Sequence, residues 1–281
     1  MEAALPFRDT LQDVAPRLVS SVKDAGEMAF EEQQALSVSD RAFKADDSVV
    51  TEADRTVEDF LVERIAALWP EANIITEETR RPFDSGKAPT FAVDPIDGTD
   101  VFSQGMPGWC VSVGLLDDQL VPVAGIIFAP RLDLLIVADG NRGATLNGSA
   151  LSPPRTVEPI SIRSNLMVTS RIHKHLDLSG YVGKIRGIGS AALHLCYPLI
   201  YPAVIGALEG PGVHIWDIAA AHAINRAQGQ ELRYLNGDPI DYAPLVRGEP
   251  GADVIVAGRD ATYQALADAI RRLPSRSTPN G

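Results

Sequence analysis

The sequence predicts a mixed α/β protein in two halves, and three observations carry that prediction. Apolar residues recur at helical spacing in two early segments. Three strand-like runs with short links follow between Trp109 and Leu146, as an antiparallel meander requires. Strand and helix signals then alternate through the rest of the chain. With 281 residues, of which 45% are hydrophobic, the chain can bury a large core.

Leu11, Val14, Leu18 and Val22 define one face of a helix over about Leu11 to Leu36. From Thr51, Val57, Phe60, Leu61, Ile65 and Leu68 define a second, which Pro70 stops. "NIIT" and "TFAV" read as strands. The meander is "WCVSVGLL", "LVPVAGIIF" and "DLLIVAD", and "NRGATLNGSAL" has the glycines and asparagine of a hairpin. The Pro-containing "SPPRTVEPI" marks a boundary between residues 1–156 and 157–281. Beyond it, "NLMVTS" is a strand and "GSAALHLCYPLIYPAVIGAL" a helix interrupted near Pro198 and Pro202. "WDIAAAHAINRAQG" is a helix closed by Gly229, and "ADVIVAG" a strand. "RDATYQALADAIRRLP" is a helix with Asp260 as N-cap and Arg271 and Arg272 at its negative end. The tail "SRSTPNG" has the composition of a disordered terminus.

The formal net charge of −12 disfavours nucleic-acid and anionic-membrane partners, because both reward clustered cations. No run approaches the roughly 18 apolar residues that suggest a membrane span, and the acidic N-terminus lacks the basic segment of a signal peptide. Cys110 and Cys196 lie far apart in apolar runs and read as reduced core residues. A cytoplasmic protein is the expectation.

One stretch breaks the ordinary pattern. "FAVDPIDGTDVF" crowds Asp94, Asp97 and Asp100 into seven positions behind a buried strand, where like charges repel and lose hydration. With Asp94 ending the strand and Pro95 fixing the turn, Asp94, the Ile96 carbonyl and Asp97 would aim at one point. The Gly98 and Thr99 amides would form an anion cradle at the start of a helical turn. Oxygen-only ligands suit a hard cation such as magnesium. Turn chemistry alone also favours Asp, Pro and Gly here. "IITEET" puts Glu77 and Glu78 at the end of another strand, with one of the two expected to face inward. "VVTEAD" offers Thr51 and Asp54, which a capping box would also explain. "HIWDIAAAHAI" places Asp217 in a first helical turn beside Trp216, where capping is again an alternative.

Together these segments resemble the inositol monophosphatase family of magnesium-dependent, lithium-sensitive phosphatases. Glu77-Glu78, then Asp94 to Thr99, then Trp216-Asp217 match its motifs in order, spacing and type. The resemblance implies an alternating αβαβα sandwich with an antiparallel N-terminal sheet and a smaller mixed C-terminal sheet, and a homodimer. It implies that Glu77, Asp94, the Ile96 carbonyl, Asp97 and Asp217 hold two or three magnesium ions. Asp54 and Thr99 would position an attacking water, with Glu77 beside them, and the Gly98 and Thr99 amides would receive phosphate. A small phosphorylated substrate would then be hydrolysed without a phosphoenzyme.

The substrate rim departs from the family pattern. Asp100-Val101-Phe102 replaces Thr-Asn-Phe, so Asp100 could join a metal, meet a sugar hydroxyl or face solvent. "GIGSAALHL" resembles a hydroxyl-contacting segment, which puts Gly189, Ser190, Ala191 and His194 on the rim, with His194 where asparagine is common. Glu209 fits the family's hydroxyl-binding glutamate only after a one-residue shift. A small polyol or sugar monophosphate is the expected substrate. A nucleotidase acting on an adenosine bisphosphate, with a base-binding rim near Trp109 and His173-Lys174-His175, is the alternative. A fructose-bisphosphatase, a histidinol-phosphatase and a non-catalytic binding protein are the other readings.

Overall fold

The computed structural model describes all residues except 1–6, 37–41, 44–48, 51, 80, 141–142, 153–158 and 274–281. Thr51, most of the "SPPRTVEPI" segment and the "SRSTPNG" tail therefore lie outside the described residues.

Helix α1 (Phe7–Ala35) leads into a two-stranded pair, β1 (Ala42–Phe43) and β2 (Val49–Val50), and then α2 (Glu52–Leu68). Leu18, Val22, Ala25 and Ala29 recur at three- and four-residue steps and are buried, as the periodicity requires. On α2 the buried apolar residues are Ala53, Val57, Leu61, Val62 and Ile65, and two acids one turn apart, Asp54 and Glu58, are buried with them. Burying each such Leu or Ile contributes roughly 1.5–3 kcal/mol.

A seven-stranded sheet follows: β3 (Asn73–Thr76), β4 (Thr90–Asp97), β5 (Cys110–Leu116), β6 (Pro122–Ala129), β7 (Leu134–Ala138), β8 (Thr145–Leu146) and β9 (Ser149–Ala150), in sequence order. The short helix α3 (Thr99–Ser103) interrupts it between β4 and β5. All pairings are antiparallel except β3 with β4, which run parallel across a longer connection. At the last hairpin Asn147 and Gly148 adopt φ of 50° and 78°, the two positive values of a tight two-residue turn.

The second half runs β10 (Asn165–Val168), β11 (Leu176–Asp177), β12 (Lys184–Arg186), α4 (Ala191–Ile200), β13 (Val204–Glu209) and α5 (Ile215–Ala227). It closes with β14 (Arg233–Tyr234), α6 (Tyr242–Leu245), β15 (Ile255–Gly258), α7 (Asp260–Ala269) and β16 (Arg271–Arg272). Five of these strands form a mixed sheet in the order β12-β10-β13-β15-β14.

Two helix expectations change. The segment "GSAALHLCYPLIYPAVIGAL" is a helix and then a strand: Tyr201 leaves the helical conformation before Pro202, and the β-branched Val204 and Ile205 open a strand between β10 and β15. On α7 the N-cap position belongs to Arg259, which makes no side-chain cap bond, and Asp260 lies in the first turn. Arg271 and Arg272 leave the helix to pair with β11.

The layers alternate. Helices α1 and α2 cover one face of the large sheet, α4 and α5 fill the space between the sheets, and α7 packs outside the smaller sheet. Each interlayer space holds its own apolar cluster, and the central one draws on both halves of the chain. Helix α5 lies close on the large sheet because glycines face it: a Cβ at Gly114 would stand 2.6 Å from the Ala219 Cβ, and one at Gly125 2.3 Å from the Ala220 carbonyl oxygen. That contact fixes where the first turn of α5, with Asp217, meets the strand ends.

Candidate metal centre and active site

Strand β4 does not end at Asp94. It continues to Asp97 through a register shift, Asp94 pairing with Ser112 and Asp97 with Cys110. In a regular strand, residues three apart point to opposite faces. The extra residue in the Pro95-Ile96 bulge reverses that parity and turns both carboxylates to the same side. Gly98, with φ of 97°, then starts α3 in a left-handed conformation that L side chains rarely adopt.

The sandwich delivers the remaining groups. One oxygen each from Asp94, Asp97 and Asp217 lie within 4.8 Å of one another. Each is held by backbone amides. Asp94 Oδ1 accepts from the Ile96 N–H at 3.0 Å, and Asp217 Oδ2 from the His214 N–H at 2.5 Å. Asp97 sits on the N-terminus of α4, accepting from the Ala191 and Ala192 amides at 3.1 and 2.7 Å and from the Ser190 hydroxyl at 2.5 Å. The Ser190 oxygen accepts in turn from the Leu193 amide at 3.0 Å, as an N-cap does.

Burial is the main cause that pushes the Asp94 carboxyl well above the usual range, followed by repulsion from Glu77, Asp97, Asp217 and Asp54. Burial also raises Asp217 well above that range, with Asp97 and Glu77 adding to it and the His214 amide opposing it. Asp97 is raised by burial and partly lowered again by Ser190, Ala192 and Ala191. No Lys or Arg among the described residues forms an ion pair with these three. Oxygen-only donors in mutual repulsion, with no side-chain cation between them, fit a hard divalent ion such as magnesium.

Glu77 follows β3 half-buried, close enough for its charge to raise both Asp94 and Asp217. Its neighbour Glu78 donates its amide to Glu58 Oε2 at 2.8 Å, and the Thr79 hydroxyl bonds the other Glu58 oxygen. Glu58 thus anchors the turn that carries Glu77. The sequence signal for it was an acid one turn after Asp54 on the apolar face of α2.

Beside the carboxylates, the Thr99 hydroxyl lies 3.1 Å from Asp54 Oδ1 and 3.0 Å from the Ile96 carbonyl oxygen. Asp100 is exposed, and only its carbonyl bonds locally, to Ser103 and Gln104. The rim separates into two groups. Gly189, Ala191 and Glu209 line a cleft of about 460 Å³ together with Asp97 and Asp217. Ser190 and His194 are buried behind it. The His194 Nε2 accepts the Ile188 N–H at 2.8 Å, so its Nδ1 carries the proton toward Glu209 Oε1 at 2.6 Å. His194 therefore reaches the cleft only through Glu209.

Trp109 is fully buried against Phe102 and presents no face to the cleft. Cys110 and Cys196 are free and buried, but Cys110 is not in a purely apolar setting: its sulfur lies 3.3 Å from the Ser190 hydroxyl and 3.8 Å from Asp97. Thr169, Arg171, Lys174 and His175 also line the cleft, and sequence reasoning singled out neither Thr169 nor Arg171.

Comparison with known proteins accords with this geometry. The sequence profile described as Inositol monophosphatase family matches residues 10–274. Inositol monophosphatase 1 of Solanum lycopersicum is 30% identical over 247 residues, 83% of this chain and 88% of its own. The 3'(2'),5'-bisphosphate nucleotidase CysQ of Escherichia coli is 27% identical over 230 residues, 79% of this chain and 91% of its own. In fold, an IMPase/NADP phosphatase solved with Mg2+ and phosphate superposes with a TM-score of 0.76 at 17% identity, covering 92% of this chain and 96% of that one. The chain belongs to the inositol monophosphatase family and is a metal-dependent phosphoric monoester hydrolase.

Proposed function

We propose that the protein hydrolyses the phosphate monoester of a small polyol or sugar. The observation that carries this reading is the meeting of Asp94, Asp97 and Asp217 within 4.8 Å beside the Thr99–Asp54 pair. Glu77, Asp94, the Ile96 carbonyl, Asp97 and Asp217 would hold two or three magnesium ions. Bound there, magnesium activates water and stabilises the leaving alkoxide. The Thr99 hydroxyl donates to Asp54, which leaves its lone pairs to accept a hydrogen bond from the attacking water and orient it; as water gives its proton to Thr99, the Thr99 proton would pass to the Asp54 carboxylate. The Gly98 and Thr99 amides receive phosphate oxygens. No side chain serves as a nucleophile, so no phosphoenzyme forms. His194 occupies one Glu209 oxygen, and the carboxylate's other oxygen is available to a substrate hydroxyl.

A nucleotidase reading has weaker support. Trp109 is inaccessible, and no Phe, Tyr or Trp stands among the residues lining the cleft. No described helix is long and apolar enough to cross a membrane. A cytoplasmic setting accords with the two free cysteines. Ile162, Val182 and Ile185, exposed around the edge strand β12, would suit a homodimer contact. The test is phosphate release from inositol, fructose, histidinol and adenosine phosphates with magnesium and with EDTA. Release from polyol or sugar esters that EDTA abolishes is expected. Adenosine bisphosphate as the preferred substrate would overturn the substrate class.

A further inference from the structure

The cleft is electrically two-ended. Its inner end is Asp97, Asp217 and Glu209, and its outer wall carries Arg171 and Lys174. Arg171 is the N-cap and Lys174 the last residue of a single 3-10 turn, Ile172–Lys174, that follows β10. Strand β10 lies parallel and adjacent to β13, whose end carries Glu209, with Val168 paired to Leu208 and the Thr169 amide bonded to the Leu208 carbonyl at 3.2 Å. Neighbouring strands run about 4.8 Å apart. The cationic turn is therefore one strand away from the carboxylate that faces substrate.

Neither cation neutralises the acids it faces. Arg171 and Lys174 are exposed and form no ion pair among the described residues, although Asp97, Glu209 and Asp217 line the same cleft. In a chain of net charge −12, two cations on one turn that line the cleft without an ion pair leave charged donors for an anionic ligand. We propose that Arg171 and Lys174 form a subsite for a second anionic group, so that the preferred substrate is a small polyol or sugar ester bearing a further phosphate or a carboxylate. No Phe, Tyr or Trp lines the cleft and His175 is the one aromatic ring among its lining residues, so two exposed cations beside it favour an anion over a nucleotide base. This proposal rests on the phosphatase reading above and names the substrate class of the same site.

The test compares kcat/KM with magnesium for fructose bisphosphate, phosphogluconate and fructose monophosphate, and for adenosine bisphosphate against adenosine monophosphate. The doubly anionic sugar substrates should be favoured over fructose monophosphate by at least ~10-fold. Arg171→Gln and Lys174→Gln should each reduce that ratio ~3- to 10-fold, mainly through KM, because each removes one charge-assisted contact. Rising salt should shrink the ratio. Lys184→Gln, which removes an exposed cation on β12 away from the cleft, controls for net charge and should leave the ratio in place. Preference for fructose bisphosphate alone would assign the subsite to phosphate, and for phosphogluconate alone to carboxylate. Equal efficiency on singly and doubly anionic sugars, or a parallel loss on both in the Arg171 and Lys174 variants, would overturn the subsite and leave the phosphatase reading standing. Preference for adenosine bisphosphate over every sugar would overturn the proposed class. No release from any ester would overturn both readings.

Discussion

The Thr99 hydroxyl has one proton and two acceptors within reach, the Asp54 carboxyl and the Ile96 carbonyl. The proposed role in orienting water depends on donating to Asp54, so the two side chains should act as one unit. Asp54→Asn and Thr99→Ala are each expected to lower kcat by ~10²- to 10⁴-fold with little change in KM. The double variant should be about as slow as the slower single one. Thr99→Ser keeps the hydroxyl and should recover much of the rate. Steady-state kinetics of the four variants decides: losses that multiply in the double variant would show that the two residues act separately.

At the scale of elements, the centre depends on a bulge and a helix start. The bulge in β4 points Asp94 and Asp97 the same way, and the first turn of α4 holds Asp97 by two amides and Ser190. Ser190→Ala removes both a cap and a charge-assisted donor. It should cost about 0.5–2 kcal/mol, visible as a lower Tm. It should also raise the magnesium concentration for half-maximal activity by roughly 10-fold, because Asp97 loses its orientation. Ser190→Thr should restore both. A fall in Tm with an unchanged magnesium requirement would reduce Ser190 to a cap.

For the whole molecule, the carboxylates make stability depend on pH and metal. Asp94, Asp97 and Asp217 are all raised, so the folded chain holds their protons more tightly than the unfolded chain does. Their contribution is therefore fully present below the ordinary Asp value of about 3.9. It is lost as pH rises through the elevated native values. In EDTA the Tm should fall as pH rises from weakly acidic toward neutral. Magnesium should raise it again near neutrality, by the equivalent of ~2.7 kcal/mol at a hundredfold excess over Kd. That gain should shrink in acid as the three carboxylates protonate. Asp94→Asn should flatten the metal-free profile, since an amide oxygen can still accept the Ile96 N–H without the charge. A metal-free Tm indifferent to pH would contradict the burial and repulsion that raise the three acids.

The sequence by itself determined the periodic helices, the meander and the residue types of the centre. Each is a local pattern: Val57, Leu61 and Ile65 repeat on one helix face, and Asp94, Asp97, Gly98 and Thr99 stand within six positions. Strand β13 was not legible, because its apolar run continues that of α4 and only its place between β10 and β15 makes it a strand. The bulge that orients Asp94 and Asp97 was also hidden, since parity in a strand shows only against its partner's register. Tertiary structure alone set the Asp97 bonds to Ser190 and Ala192, the Glu58 anchor under Glu77, the burial of His194 and the approach of Arg171 to the cleft. The physical reason is separation along the chain: Asp97 and Ala192 are 95 residues apart. Local propensity fixes how each segment folds, and only packing of the layers decides which segment ends meet.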